Sequence, residues 1–130
     1  MAGEIVWFAR DVIDALHDRL LAEHGGSPGV RDAALLESAL ARPQNLAAYG
    51  EPDLCDLAAS YAGGIVRNHP FMDGNKRTAF MVSYVFLARN GKYLKAPEDE
   101  VVQNMTGLAV GDIDETAFAG WLRANIEAGE

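Results

Sequence analysis

Apolar positions recur at spacings of three and four along most of the chain, the period of helices that each bury one face. Val12, Ile13, Leu16, Leu20 and Leu21 form the first such run, and Gly25-Gly26 follows as a stop. Together they predict a helix from about Phe8 to His24. Past the Ser27-Pro28-Gly29 turn, Asp32 is placed to cap a second helix carrying Leu35, Leu36, Ala39 and Leu40. Pro43 has no backbone N–H to donate and predicts the end of that helix. The stretch from Pro43 to Pro52 then reads as a loop or short hairpin.

Leu54, Leu57, Ala58, Tyr61, Ala62 and Ile65 define a third helix reaching about Asn68. After the connection His69 to Gly74, residues 75–90 are apolar on nearly all sides, which predicts the central, buried helix. Gly91 ends it, and Lys92 to Leu94 reads as a short extended piece. Pro97 opens a fifth helix with Glu98, Asp99 and Glu100 in its first turn, where the helix dipole favours acids; Val101, Val102, Met105 and Leu108 are expected to face inward. A last helix starts near Asp112 or Asp114 and is expected to bury Phe118, Trp121, Leu122 and Ile126. The pattern shows no repeat and no boundary, so residues 1–130 are expected to form a single domain of the all-α class.

Composition narrows the chemistry. The chain has 130 residues and a formal charge of −8, against the basic footprint that nucleic-acid backbones require. No direct nucleic-acid partner and no membrane are expected. The single Cys55 excludes an internal disulfide and a paired-thiolate metal site, and reads as a small buried residue. Near Met1 only Ile5 to Phe8 are apolar, and the apolar run Ala79 to Ala88 is about half of what a bilayer needs. A cytoplasmic location is expected.

Charge is also unevenly distributed. From Ala96 to Glu130 eight acids face one base, Arg123, whereas from Leu57 to Lys95 six bases face one acid, Asp73. A basic window in an acidic protein suggests a small anionic ligand. Within it lies His69-Pro70-Phe71-Met72-Asp73-Gly74-Asn75-Lys76-Arg77, a polar loop feeding the start of a helix. A helix start has unpaired N–H groups and the positive dipole end, so Gly74, Asn75 and Lys76 are candidates to cradle a phosphate. Lys76 and Arg77 add positive charge, Asp73 is a carboxylate suited to Mg2+, and His69 is a candidate proton acceptor. Base, metal ligand and anion cradle are the parts needed to transfer a phosphate-containing group to a hydroxyl. Each also has a plain structural role open to it: a loop histidine, an Asp-Gly turn, and Phe71 as an anchor into the core.

That nonapeptide resembles the signature of the Fic/Doc superfamily, written H-P-F-x-[DE]-[GA]-N-[GK]-R. The Ala15-Leu16-His17-Asp18, Gly25-Gly26-Ser27-Pro28-Gly29, Lys76-Arg77-Thr78-Ala79 and Phe86-Leu87-Ala88-Arg89-Asn90-Gly91 stretches resemble its compact death-on-curing (Doc) branch. The resemblance implies a Fido fold, a compact bundle of about six helices with a short flap hairpin, here matched to Pro43 to Pro52. It implies His69 as general base, Asp73 as Mg2+ ligand, Gly74, Asn75 and Lys76 as anion hole and Arg77 as a nucleotide-phosphate contact, with ATP or another nucleoside triphosphate as co-substrate.

Members that transfer AMP have glycine in place of Lys76 and a second arginine in place of Phe80. Death-on-curing toxins share both departures and are described as kinases of translation elongation factor Tu. The resemblance therefore implies a toxin of a type II toxin–antitoxin module that transfers a phosphoryl group to a protein hydroxyl. AMP transfer and a catalytically silent binding module are the alternatives. The [ST]-x-x-x-E-[GN] pattern of a built-in inhibitory helix is missing: Ser38 leads to Arg42, Thr106 to Val110 and Thr116 to Gly120. The restraint expected is a Phd-like antitoxin binding in trans.

Of the remaining features, His17 lies between apolar neighbours and reads as a packed or capped histidine, Gly63-Gly64 as close packing of the third helix on the fourth, and Trp7 and Trp121 as core or rim aromatics.

Overall fold

Side-chain caps set several helix starts. In the computed structural model, which describes residues 4–128, α1 (Arg10–His24) ends at Gly25 and α2 (Ala33–Tyr49) begins where Asp32 accepts the Leu35 N–H at 3.0 Å. Asp53 and Asp56 form a reciprocal capping box at the start of α3 (Leu54–Asn68), each carboxylate accepting the other's backbone N–H. Helix α4 (Asn75–Arg89) leads into β1 (Lys92–Leu94). Then come α5 (Glu98–Val110), α6 (Glu115–Ala124, capped by Asp114) and β2 (Ile126–Ala128). The described chain is thus six helices and one two-stranded antiparallel sheet, with Leu94 opposite Ile126 and Lys92 opposite Ala128.

The hub is α3, not α4 as its apolar composition predicts. Every residue from Leu57 to Val66 is buried, and α2, α4 and α6 pack around it. Its small residues are the reason. A Cβ on Gly64 would lie 3.1 Å from the Cβ of Ala39 on α2, and one on Gly63 would lie 2.6 Å from Glu115 on α6. The glycine pair therefore admits α2 and α6 rather than α4. Helix α4 is covered on one side, leaving Phe80 and Val85 half-buried and Tyr84 exposed. Around Tyr61, the rings of Phe8 and Phe86 lie 5.5 and 5.1 Å away, and the Tyr61 hydroxyl accepts the Phe8 N–H. Cys55 is buried as expected, and burial pushes its thiol up to about 11.

Four further expectations change. Pro43 does not end α2: it is buried inside the helix, which continues to Tyr49. Packing overrides the broken backbone bond, because Pro43 is buried, Ala47 packs on the core, and Arg42 donates to Ser60 O and Glu115. No flap hairpin therefore exists at Pro43 to Pro52. The extended pairing beside the motif loop lies elsewhere, as a single antiparallel bridge between Val30 and Phe71. Ile126, expected in the last helix, lies in β2, since α6 closes at Asn125 and Lys95 N donates to Asn125 O at 2.8 Å. Val102, expected inside, is 59% exposed on α5, while Met105 and Leu108 are buried.

Candidate functional site

The motif loop joins the end of α3 to the start of α4 and is held from below. Phe71 is buried and stacks on the His17 ring, centroids 3.9 Å apart and 11° from parallel. His17, itself buried on α1, donates its Nε2–H to Asp73 O at 2.8 Å. A carbonyl only accepts, so this contact sets the hydrogen on Nε2. Gly29 to Asp32 hold the other side, with Met72 N donating to Gly29 O, and Arg31 N and Asp32 N to Pro70 O, at 2.7 to 3.1 Å. Phe71 is thus an anchor, and His17 is a packed histidine whose contacts are with the motif itself.

His69 is exposed at the C-cap of α3 with φ 49° and ψ 53°, the only non-glycine residue at positive φ among the described residues. Such a conformation costs about 1–3 kcal/mol and persists only where neighbours impose it. One neighbour is Asn75, nearly fully buried. Its Oδ1 accepts the Phe71 N–H at 3.0 Å, and its Nδ2 donates to Phe71 O at 3.1 Å and to His69 Nδ1 at 3.2 Å. The two Phe71 contacts orient the amide, so Nδ1 is the accepting ring nitrogen and the neutral ring carries its hydrogen on Nε2.

Helix α4 opens differently from α2, α3 and α6. Its N-cap, Gly74, sits at φ 75° and offers no side chain. The backbone N–H groups of Asn75, Lys76 and Arg77 have no partner among the described residues, and Thr78 N makes the first helical bond, to Gly74 O. The Gly74 N–H is already taken by Asp73 Oδ1 at 2.9 Å, so the open donors begin at Asn75 rather than at Gly74. Asp73 Oδ2 accepts the Ser27 N–H at 3.3 Å, tying the Gly25 to Ser27 turn to the motif. A side chain at Gly26 would meet this carboxylate at 3.0 Å, and the position is at φ 126°.

The basic window divides between the two ends of α4. Arg67 pairs with Glu115 and Lys95 with Glu127, and Arg89 lies over the Phe8 ring. Lys76 and Arg77 are exposed and pair with no acid among the described residues. They flank the uncapped helix start, about 20 Å along α4 from Arg89. Two cations and three N–H donors, all without partners among the described residues, belong to one helix start in a protein of charge −8, an arrangement suited to a phosphate. A groove of about 800 Å³ between Ile5, Leu54, Arg89 and Arg123 lies at the far end of α4 and includes no motif residue.

The structure thus brings His69, Asp73, Gly74, Asn75, Lys76 and Arg77 into one loop and helix start. Sequence reasoning missed the contacts of Ser27, Arg31 and His17 with this loop. Ser27 and Arg31 sit between helices where no periodicity marks them, and only the Doc-like stretches around His17 and Ser27 hinted that these regions belong with the motif. No group of three or more His, Cys, Asp or Glu side chains able to hold a metal occurs among the described residues. Within the motif, residues 69–77, the one carboxylate is that of Asp73. That fits Mg2+, which binds through one or two carboxylates together with phosphate oxygens and waters.

Comparison with known proteins agrees with the motif. A family model described as the Fic/DOC family matches residues 7–87. The chain is 38% identical over 111 residues to "Protein kinase doc" of Escherichia phage P1, covering 84% of this chain and 86% of that protein. It is 41% identical over 103 residues to "Toxin Doc" of Mycolicibacterium smegmatis, covering 75% and 78%.

Proposed function

The chain belongs to the Fic/DOC family, and from that premise we propose that it is the toxin of a toxin–antitoxin pair, transferring a phosphoryl group from ATP or another nucleoside triphosphate to a protein hydroxyl. The observation that carries this reading is the uncapped start of α4, with free N–H groups from Asn75 to Arg77 and the unpaired Lys76 and Arg77, beside an exposed histidine. The names of both relatives, one a protein kinase and one a toxin, support it.

The residues divide the work. The N–H groups of Asn75, Lys76 and Arg77, with the two cations, bind the phosphate and offset the charge that develops during transfer. His69 takes the proton of the target hydroxyl while its oxygen forms the new bond to phosphorus. The bond from phosphorus to the bridging oxygen breaks, and the nucleoside diphosphate leaves with that electron pair. In the free protein, Asn75 occupies Nδ1 at 3.2 Å, a long contact that substrate entry can rearrange. Asp73 would hold Mg2+, which would supply positive charge to the phosphate during transfer. Asp73 and His17 meanwhile keep the loop closed on Ser27 and α1.

Phosphoryl transfer is favoured over AMP transfer by two residues. Lys76 places a cation where the AMP-transferring members have glycine. Phe80, half-buried and 6.1 Å from the Tyr84 ring, supplies no charge where they have a second arginine. The target is proposed to be elongation factor Tu, so that modification arrests translation in the cytoplasm. The restraint is proposed to be a Phd-like antitoxin bound in trans. No described helix is long and apolar enough to cross a membrane.

Incubation with elongation factor Tu and ATP labelled on either the α or the γ phosphate tests the reaction. Label transferred from γ alone, lost in His69→Ala, supports the reading; label from α means AMP transfer. Growth arrest that survives His69→Ala means a silent binding module.

A further inference from the structure

The last carbonyls of α3 lie where the motif begins, and a side chain from the α1–α2 connection covers them. Arg31 Nε donates to His69 O at 2.6 Å and Arg31 Nη2 donates to Asn68 O at 2.8 Å. The backbone N–H of the same residue donates to Pro70 O at 2.7 Å. One residue thus holds three consecutive carbonyls, 68 to 70, centred on His69 at φ 49°.

This placement is electrostatically apt. The C-terminal end of a helix carries partial negative charge and unpaired carbonyls, which a cation relieves. Arg31 makes no ion pair with an acid among the described residues, so its guanidinium is directed wholly at the backbone. A guanidinium donates from two nitrogens in a fixed planar fork, and here the fork bridges adjacent carbonyls; a lysine ammonium reaches one such carbonyl at best.

We infer that Arg31 is a positioning residue: by clamping the carbonyls on either side of the His69 Cα, it holds that residue in the left-handed conformation that keeps its imidazole on Asn75, next to the open N–H groups of α4. The guanidinium of Arg31 donates to main-chain carbonyls and acts through the backbone of His69. The inference rests on the proposal that His69 carries the proton.

Two measurements on Arg31→Ala, Arg31→Lys and wild type test it. The first is the long-range proton–nitrogen spectrum of the three imidazoles, with the His69 signals assigned by their loss in His69→Gln. Wild type is expected to show His69 as one tautomer, its hydrogen on Nε2, and Arg31→Ala to show averaging between tautomers. The second is steady-state transfer to a protein substrate. In Arg31→Ala, kcat is expected to fall on the order of 10- to 100-fold, as displacement of a catalytic group does. KM for the nucleotide should hold within about twofold, because Lys76 and Arg77 are untouched. Arg31→Lys should lie between, and guanidinium ion added to Arg31→Ala should restore part of the rate.

An unchanged His69 spectrum in Arg31→Ala overturns the inference, as does an unchanged kcat or a loss confined to KM. Should Arg31→Ala fail to fold, Arg31→Lys decides by the same signs. If wild type transfers no group, the proposed function falls, and the tautomer spectrum alone still decides whether Arg31 orders His69.

Discussion

An alanine at position 63 would place its Cβ 2.6 Å from Cγ, Cδ and Oε2 of Glu115. Real Cβ atoms do not approach so closely, and α3 is buried on all sides there, so the glutamate must give way. That carboxylate accepts from Arg42 Nη2 at 2.8 and 3.1 Å and from Arg67 Nη1 at 2.6 Å, linking α2, α3 and α6. Overpacking costs about 1–3 kcal/mol. Displacing an ion pair whose arginine side chains are 38% and 48% exposed adds about 0.5–1 kcal/mol after solvent screening. Replacing glycine by alanine inside a helix returns about 1 kcal/mol. The expected net loss for Gly63→Ala is about 2 kcal/mol, or a fall in Tm of roughly 5–10 °C for a chain of this size.

Urea unfolding followed by Trp7 and Trp121 fluorescence measures the loss, and a double-mutant cycle identifies its cause. In a Glu115→Ala background the clash is gone, and Gly63→Ala should be neutral or stabilise by up to about 1 kcal/mol. An equal destabilisation in both backgrounds, or none in the wild-type background, would refute the argument.

Thr78 Oγ1 is a buried side-chain oxygen without a hydrogen-bond partner among the described residues, so Thr78→Val should raise stability by about 1 kcal/mol in the same urea assay and leave transfer unchanged. With its thiol pushed up to about 11 by burial, Cys55 is about one part in a thousand thiolate at pH 8. A disulfide reagent should therefore label it only as fast as the protein opens, and rapid labelling of the folded chain would count against this packing. The Arg123 guanidinium, 2.7 Å away, holds the Asp53 carboxyl below its ordinary range. That contribution is fully present above the unfolded value and is lost as pH falls through the lower folded value. Asp53→Asn keeps a capping side chain but removes the charge. It should cost about 0.5–1 kcal/mol at pH 7, and the gap from wild type should close in acid urea melts as pH falls through the lowered Asp53 value.

How far the chain could be read depended on whether the cause of each feature was local. Periodicity and caps located six helices, because an apolar stripe and an Asp three residues before an N–H act within one or two turns. Proline at 43 misled, since its local cost is real but the packing that outweighs it comes from α3, which sequence distance conceals. The apolar content of α4 misled likewise: composition shows that a helix can be buried, while the glycines of α3 decide which helix other elements can surround.

The same division runs through the site. By itself the sequence determined which groups stand together, because nine consecutive residues carry the histidine, the carboxylate, the helix start and both cations. Tertiary structure alone decided their state. Arg31, Ser27 and His17 reach the loop from about 40 to 55 positions away, taking up its carbonyls and one carboxylate oxygen. They leave open the N–H groups of Asn75 to Arg77. Long-range hydrogen bonds of this kind leave no periodic trace in a sequence, because they follow from how helices are placed rather than from how they are formed.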